Sequence, residues 1–408
     1  MHDWLFQGRV NEMFYALLYV SAVCFSFFVV VYGSYYFFVF KTRKKAEYFR
    51  LIEKILEKDL DIQEFPFVSV LIPAFNEEDA ISRKLENISA LDYPREKLEV
   101  ILIDDCSTDN TVEIAQRMLD KLGFTSKIIK NRERKGVNAA YNIGVTESKG
   151  DLILTTDSDV LLDSDALIKG VKILKELKDV GGISGKMVPV SSDSTVAVSI
   201  EKPYRSFYDS MLTAESAIYS TFPAYTCYTL LRKSVFLPLP LHYGSSDGNI
   251  SLATIKKGFK FLFIPHIPFY EPILSGISEQ RKQKIRRATR LIQSTLANKD
   301  IMFKSKFESF GKVIFPLRFT MMVIAPFSFF IGLITAFLVM LQLSMAITLL
   351  VIFLFSLFVL LGAKTDLPLL SALNSFIVHE FYLLIGVLMS QRRVSVWRPA
   401  VRSKMGHK

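Results

Sequence analysis

Between about residue 66 and residue 275 the chain alternates short apolar runs with longer polar and charged runs. The apolar runs have the length of strands, and four of them are FVSVLIPAF, LEVILIDD, SKIIK and DLILTTD. The stretches near 77–90, 109–122 and 136–147 lie between these runs and predict helices. Strands that alternate with helices form a mainly parallel sheet covered by helices. The pattern therefore predicts an α/β domain whose ligand binds at the carboxyl ends of the strands.

The hydrophobic pattern changes before this domain. Residues 13–40 carry no charge, and this run is long enough to span a bilayer. The basic run Lys41–Lys45 follows it, which places the end of the span in the cytoplasm. A cleaved signal peptide is the alternative, but the run is too long and no small-residue cleavage site follows. We expect a membrane helix with its basic flank over residues 1–45 and a charged connector over residues 46–65.

The pattern changes again after the domain, which we bound at residues 66–276. A basic stretch with apolar positions near helical spacing predicts amphipathic interface helices over residues 277–312. The runs 319–341 and 344–362 are each apolar enough to span, whereas 369–390 is weaker because it contains His379 and Glu380.

We therefore expect two to three transmembrane helices within residues 313–392, followed by a basic cytoplasmic tail over residues 393–408. A cytoplasmic domain and a cytoplasmic tail need an even number of crossings between them. Either 369–390 is re-entrant or lies on the surface, or the tail is outside.

Composition supports a membrane protein. The 408 residues are 50% hydrophobic and carry a net charge of +10, and basic runs flank the apolar segments. This charge fits the cytoplasmic side of a multi-pass plasma-membrane protein, so we expect no nucleic-acid partner. The three cysteines are far apart, which excludes a disulfide framework or a zinc spacing and indicates a reducing compartment.

Acidic residues gather where the predicted strands end. Glu77 follows the first strand, Asp104 and Asp105 end the second, and Asp157 and Asp159 end the fourth. Two carboxylates one residue apart repel each other unless a cation lies between them, although a solvated turn is the alternative. Oxygen ligands suit magnesium or manganese, which also bridge phosphates. These residues therefore predict a diphosphate held through a metal ion.

The run VSVLIPAFNEEDAI, followed in order by VILIDDCSTDNT, GVNAAYNIG and GDLILTTDSD, resembles the nucleotide-binding half of family 2 glycosyltransferases, which have the fold called GT-A. The four motifs cover residues 67–160. The resemblance implies a nucleotide-sugar site and an Mg²⁺ or Mn²⁺ site, with Pro73, Glu77, Asp104 and Asp105 lining the nucleoside pocket, Lys135 touching phosphate, and Asp157 and Asp159 binding the metal. Asn142 and Gly144 match the stretch beside the diphosphate, or they only shape a helix. Cys106 stands where the family commonly has glycine.

The acceptor half resembles the family through YGSSDGNISLATIKKGFKFLFIP, which implies that Asp247 is the general base. Ser246 replaces the usual first acid of the pair, and a helix N-cap at Asp247 is the alternative. Processive members then carry Q-x-x-R-W. Here Gln283, Arg286 and Arg287 give Q-x-x-R-R, so the aromatic that packs beside an acceptor sugar is missing, and processive or single addition stays open. The arginines neutralise the diphosphate or hold an anionic lipid, or they belong to a basic membrane-surface helix without a catalytic role.

The resemblance thus implies a membrane-embedded, hexosyltransferase-like, metal-dependent enzyme. It moves a sugar with inversion from a nucleotide-sugar donor to a lipid-linked or membrane-associated glycan, and membrane lipids are further partners. One alternative is a polyprenyl-phosphate sugar synthase, whose phosphate acceptor is already ionised and needs no base. A transporter with a regulatory nucleotide-binding domain is another, against which the few spans and few intramembrane charges argue. A catalytically dead sensor is opposed by the intact D-x-D pair, and a dehydrogenase by the missing G-x-G-x-x-G.

Overall fold

A computed structural model describes residues 2–42, 44–59, 65–190, 196–223, 227–272, 277–364 and 368–392. Its centre is one eight-stranded sheet in the order β3-β2-β1-β4-β7-β6-β8-β5. The strands are β1 (Val68–Ala74), β2 (Leu98–Asp104), β3 (Thr125–Lys130), β4 (Leu152–Thr155), β5 (Leu161–Leu162), β6 (Val180–Val190), β7 (Thr229–Arg232) and β8 (Lys260–Pro272). The basic tail predicted over residues 393–408 lies outside the described residues.

The four strands predicted from the sequence form the parallel half of this sheet. β1 pairs in parallel with β2 and β4, and β2 pairs in parallel with β3. Along β1 the side chains alternate between faces, so Val70 and Ile72 pack in one core cluster and Leu71 packs in the other. Both faces are buried, which explains why these strands read as continuous apolar runs. The predicted mainly parallel α/β domain is confirmed.

The other half of the sheet is mixed. β7 runs antiparallel to both of its neighbours, β4 and β6. β6 and β8 are parallel, and the short β5 is antiparallel to β8. β8 extends to Pro272 and so brings Glu271 to the sheet edge at which β4 ends.

Helices cover both faces of the sheet. The helices up to β8 are α1 (His2–Tyr35), α2 (Lys44–Leu56), α3 (Ile81–Ser89), α4 (Thr111–Leu122), α5 (Val137–Glu147), α6 (Ala166–Glu176), α7 (Val196–Ile218) and α8 (Ser246–Lys256). Buried residues of α2, α3, α4 and α6 pack on one face of the sheet, and those of α5, α7 and α8 pack on the other. The three helices predicted near 77–90, 109–122 and 136–147 correspond to α3, α4 and α5.

The remaining helices are apolar apart from the first. They are α9 (Ile277–Ala297), α10 (Phe315–Phe319), α11 (Ala325–Leu343), α12 (Met345–Lys364) and α13 (Pro368–Met389). By length and composition, two helical stretches among the described residues are apolar enough to cross a membrane, and these are Glu12–Phe40 and Phe310–Leu343. Met345–Phe358 and Leu373–Met389 are shorter apolar helices.

The apolar helices from the two ends of the chain pack together. The Ser328 hydroxyl of α11 donates a hydrogen bond to the Cys24 carbonyl of α1 at 2.8 Å, and the Ser21 hydroxyl donates to the Gly332 carbonyl at 3.2 Å. A side chain at Gly332 would place its Cβ 3.3 Å from the Cβ of Cys24. Small residues thus let α1 and α11 approach closely, as in membrane helix pairs.

Helix α9 lies between the α/β domain and α13. At Gly386 of α13 a Cβ would meet the backbone of Ala288 and Thr289 at 3.1 Å, so the two helices nearly touch. The Gln293 side chain donates to the Ser390 carbonyl at 3.0 Å and accepts from the Gly244 amide at 3.0 Å. α9 is therefore fixed to the apolar helices on one side and to the start of α8 on the other.

Candidate active site

A cavity opens at the carboxyl ends of β1 and β4, where the sequence predicts a ligand. It is lined by Pro73, Ala74, Phe75, Glu77, Asp105, Arg134, Gly136, Val137, Ala140, Asp157, Ser158, Asp159, Cys227, Ser245, Ser246, Asp247, Arg286, Arg287 and Arg290. We call it the donor cavity. Among the residues predicted from the sequence it brings together Pro73, Glu77, Asp105, Asp157, Asp159, Asp247, Arg286 and Arg287. Asp104, Lys135 and Gln283 are predicted site residues that do not line it.

The acidic pair Asp157 and Asp159 lies in the turn after β4. Burial, with repulsion from Asp159 as the second cause, raises the pKa of Asp157 to about 6. The Tyr141 hydroxyl lies 3.5 Å from Asp157 Oδ1. A cation bound beside this pair would stabilise the anionic form of Asp157 against burial and against the charge of Asp159.

The donor set fits a hard divalent cation. Within the described ranges no cluster of three or more His, Cys, Asp or Glu side chains forms a metal site. If two carboxylates bind the cation, water and substrate oxygens would occupy its remaining coordination positions, as is usual for Mg²⁺ beside a phosphate substrate. Asp157 and Asp159 are the residues that would hold the ion.

A buried lysine holds this turn in place, and it is not among the site residues predicted from the sequence. Lys84 of α3 has no exposed surface, and its Nζ donates to Thr156 Oγ1 and to the Val160 carbonyl, both at 2.7 Å. Burial lowers the pKa of Lys84 to about 7, against the attraction of Asp157 and Asp159. The signal in the sequence is its phase, because Lys84 falls on the apolar face of α3 between Ile81 and Leu85.

Three arginines of α9, which are Arg286, Arg287 and Arg290, line the donor cavity together with the acidic pair. Burial lowers the pKa of Arg286 to about 9, and repulsion from Arg290 and Arg287 lowers it further. Burial also lowers the pKa of Arg290, while Asp247 opposes that effect. The Arg287 guanidinium forms an ion pair with Glu271. Cations that repel one another in a partly buried site favour an anionic ligand, and planar guanidinium groups match phosphate oxygens.

Asp105 also lines the donor cavity, where it binds several neighbouring groups. Its carboxylate accepts hydrogen bonds from Asn131 Nδ2 at 3.1 Å, from the Lys135 amide at 2.8 Å and from the Gly136 amide at 2.9 Å. The Arg134 side chain lies 3.6 Å from Asp105 and 3.3 Å above the ring centre of Phe75. This stacked, flat wall suits the base or ribose of a nucleoside.

Asp104 and Lys135 are predicted donor-site residues that stabilise the backbone beside the donor cavity instead of lining it. Asp104 is buried, and both of its oxygens accept from the Ser107 amide at 3.2 Å, so it stabilises the turn after β2. Lys135 reaches Asp105 through its amide, and it lines a separate small cavity with His242 and Gly244. Asn142 bonds both ways with Leu239, so it anchors the segment before α8.

Asp247 lies in the first turn of α8. Ser245 is the N-cap of this helix, since its hydroxyl accepts from the Gly248 amide at 3.1 Å. The capping position that was the alternative for Asp247 thus belongs to Ser245, and Asp247 faces the donor cavity beside Arg290. The Ser245 amide donates to Ser294 Oγ of α9 at 3.0 Å, so the same helix positions Asp247 and the arginines.

Gln283 lines a second cavity, between α7, α9 and α13. This second cavity has Met and Phe side chains together with Glu271, Gln280, Lys284, His379 and Glu380. Arg287 lines both cavities, so the two are neighbours. His379 and Glu380, which weaken the third apolar run as a span, are placed here.

The chain is similar to known glycosyltransferases in sequence and in fold. A family model described as "Glycosyl transferase family 2" matches residues 69–237, which contain β1 to β7 and most of the donor cavity. Residues 69–237 form a glycosyltransferase family 2 domain. A Methanococcus voltae protein, dolichyl N-acetyl-alpha-D-glucosaminyl phosphate 3-beta-D-2,3-diacetamido-2,3-dideoxy-beta-D-glucuronosyltransferase, is 29% identical over 229 residues, which are 54% of this chain and 71% of that protein. A Bacillus subtilis (strain 168) protein, "Probable glycosyltransferase YdaM", is 34% identical over 138 residues, a third (33%) of each chain.

The fold of this glycosyltransferase also matches a solved structure over most of the chain. The mannosyltransferase PcManGT from Pyrobaculum calidifontis, in complex with GDP-Man and Mn²⁺, superposes with a TM-score of 0.71 at 21% identity. The superposition covers 91% of this chain and 99% of that chain. The expected GT-A fold is confirmed.

Proposed function

We propose that this glycosyltransferase moves a sugar, with inversion, from a nucleotide-sugar donor to a hydroxyl of a lipid-linked or membrane-associated glycan. The observation that carries the proposal is the presence of opposite charges in one cavity. Asp157 and Asp159 line the donor cavity together with Arg286, Arg287 and Arg290 of α9. A diphosphate bound to a divalent cation matches both groups, because the cation suits the carboxylates and the phosphate oxygens suit the arginines.

Each residue then has a distinct task. Mg²⁺ or Mn²⁺ bound by Asp157 and Asp159 supplies charge neutralisation at the diphosphate. Arg286 and Arg287 bind its remaining oxygens and so stabilise it as the leaving group. Asp247 takes the proton of the acceptor hydroxyl while that oxygen attacks the anomeric carbon from the face opposite the diphosphate.

The nucleoside end of the donor belongs between Pro73, Glu77, Asp105 and the stacked pair Arg134 and Phe75. This assignment is supported by a ligand of the same class in a protein of the same fold. The Pyrobaculum mannosyltransferase is in complex with GDP-Man and Mn²⁺.

Several features support a lipid-linked acceptor and a multi-pass plasma-membrane location with a cytoplasmic catalytic domain. Apolar helices flank the catalytic domain in sequence, and α13 lines the second cavity beside the donor cavity. The Methanococcus voltae relative is named for dolichyl N-acetyl-alpha-D-glucosaminyl phosphate, a sugar on a lipid phosphate. An acceptor of that kind presents a sugar hydroxyl at a membrane surface.

A polyprenyl-phosphate acceptor is the second candidate, and one observation favours it. Lys284 and Arg205 line the second cavity, and cationic side chains there suit a lipid phosphate. Asp247 distinguishes the two acceptors, because an ionised phosphate needs no base.

The proposal is tested with purified membranes that contain the protein, a lipid extract as acceptor and a panel of nucleotide sugars. Products are identified by mass. We expect one donor to give a glycosylated lipid, and we expect Asp159→Ala or excess chelator to abolish the product. The matched control is Asp179→Ala, an exposed aspartate paired with Lys260, which should keep full activity. Full activity of Asp159→Ala, or of the parent in chelator, would contradict the metal assignment.

A further inference from the structure

Two buried carboxylates line the second cavity, and neither has been assigned a contact with substrate so far. Glu271, at the end of β8, is 8% exposed, and Glu380 of α13 is 1% exposed. Both line the second cavity, which shares Arg287 with the donor cavity.

Each carboxylate has one oxygen engaged and one without a protein partner. Arg287 binds Glu271 Oε1, and the Tyr32 hydroxyl donates to Glu380 Oε1. Glu271 Oε2 and Glu380 Oε2 have no hydrogen-bond partner among the residues that the structure describes. A buried carboxylate oxygen without a donor is costly, so the pair is best explained by donors that a ligand brings.

The chemistry of the cavity defines the ligand. Carboxylate oxygens accept hydrogen bonds from hydroxyl or amide groups, and they repel phosphate. The rest of the wall offers apolar surface from Met211, Met322 and Phe376. A sugar ring presents hydroxyls at its edge and C–H groups on its faces, so a sugar attached to a lipid meets both demands.

We infer that Glu271 and Glu380 bind hydroxyl or acetamido groups of the acceptor's sugar, in a subsite one arginine away from the donor cavity. The inference rests on the proposed function and narrows it, because it makes the acceptor a glycosylated lipid rather than a bare polyprenyl phosphate. Lys284 and Arg205 line the same cavity, where their positive charges suit the phosphate of that lipid.

Lipid binding tests the inference in Glu380→Gln, which keeps the shape of the side chain and replaces one acceptor oxygen with an amide group that donates. The probes are polyprenyl phosphate bearing one N-acetylglucosamine and the same polyprenyl phosphate without sugar, each titrated into the full chain in nanodiscs. A hydrogen bond to a charged group contributes enough to change affinity by about tenfold or more. We therefore expect the parent to prefer the sugar-bearing lipid and the variant to lose about tenfold of that preference, while its affinity for the bare lipid is unchanged.

The bare lipid is the internal control for folding. Glu279→Gln is the matched control, because Glu279 is a more exposed carboxylate on α9 that pairs with Lys282. An unchanged preference in Glu380→Gln, or a parent that binds both lipids equally, would overturn the inference. Sugar transfer is measured separately in the donor screen. If the parent prefers the sugar-bearing lipid but gives no glycosylated product with any donor, the proposed function fails while the binding subsite stands.

Discussion

At the scale of single residues, the site depends on how tightly the turn after β4 is held. Lys84 bonds both ends of this turn, at Thr156 and Val160, while Asp157 and Asp159 face the donor cavity. The lysine is therefore a positioning residue for the metal ligands rather than a ligand itself.

Lys84→Met should weaken the binding of the metal. The variant removes both hydrogen bonds and leaves the Val160 carbonyl buried without a donor, a loss of about 1–3 kcal/mol that falls on the turn. We expect the affinity for Mn²⁺, measured by electron paramagnetic resonance on the purified protein, to fall about tenfold. Lys172→Met is the control, since Lys172 bonds the Leu56 carbonyl on another element. Unchanged Mn²⁺ affinity in Lys84→Met would remove the positioning role.

The sequence predicts the acidic pair but not its support, for a physical reason. Carboxylates at a strand end are visible because the strand is an apolar run. A lysine in a helix is normally solvent-exposed, so its place on the apolar face of α3 is the one local sign of burial, and only the structure shows which groups Lys84 contacts. The backbone conformation at Cys106 is likewise visible only in the structure. Its φ of 70° lies in the left-handed region, which favours the glycine that is common at this position in the family.

At the scale of elements, a buried ion pair joins the apolar helices to the catalytic domain. Arg318 Nη1 of α10 donates to Glu215 Oε2 of α7 at 3.0 Å, and the Tyr35 hydroxyl of α1 donates to Glu215 Oε1 at 2.8 Å. Arg318 also stacks on Phe222, with its guanidinium 4.0 Å from the ring centre. One carboxylate thus fastens three helices from distant parts of the chain.

Glu215→Gln should destabilise the fold strongly. Arg318 would keep its charge in a fully buried site without a carboxylate, and breaking such a pair costs about 3–5 kcal/mol. The measurement is thermal unfolding in detergent. Glu176→Gln is the control, because it breaks the exposed pair with Lys58, whose loss costs about 0–1 kcal/mol. Equal unfolding midpoints for the two variants would show that the buried pair does not hold the helices together.

Elements that local pattern defines are predicted better than elements that tertiary pairing defines. β1 to β4 and α3 to α5 follow from apolar runs and helical phase. The antiparallel position of β7 between β4 and β6 cannot be predicted from the local sequence, because the paired strands lie far apart in the chain. The position of α9 over the donor cavity likewise depends on α13, through Gly386 and Gln293, and not on its own amphipathic pattern.

At the scale of the whole molecule, the proposed topology places the catalytic domain on the side of the membrane that holds nucleotide sugars. The span at Glu12–Phe40 and the basic run after it carry this proposal. The number of crossings after residue 300 is not fixed by apolar length, because α13 also lines a cavity next to the active site.

Protease added to sealed, right-side-out cells should therefore not cut between residues 66 and 275. The cytoplasmic domain is protected by the membrane, and the same protease should cut it once the cells are permeabilised. The readout is fragment size on an immunoblot. Cleavage in sealed cells would reverse the topology and remove the supply of cytoplasmic donor.

The proposed transfer of a sugar to a hydroxyl that Asp247 deprotonates is tested by replacing this carboxylate with an amide. Transfer rate and donor affinity are compared for Asp247→Asn and the parent with the natural membrane lipid as acceptor. Asp300→Asn is the control, since Asp300 is exposed and pairs with Lys256 at the far end of α8. Because a neutral hydroxyl needs a base and Asn cannot accept its proton, we expect the rate to fall by about 10²–10⁴ with donor affinity little changed. A loss below about tenfold would contradict the general-base role and would make an ionised lipid phosphate the acceptor.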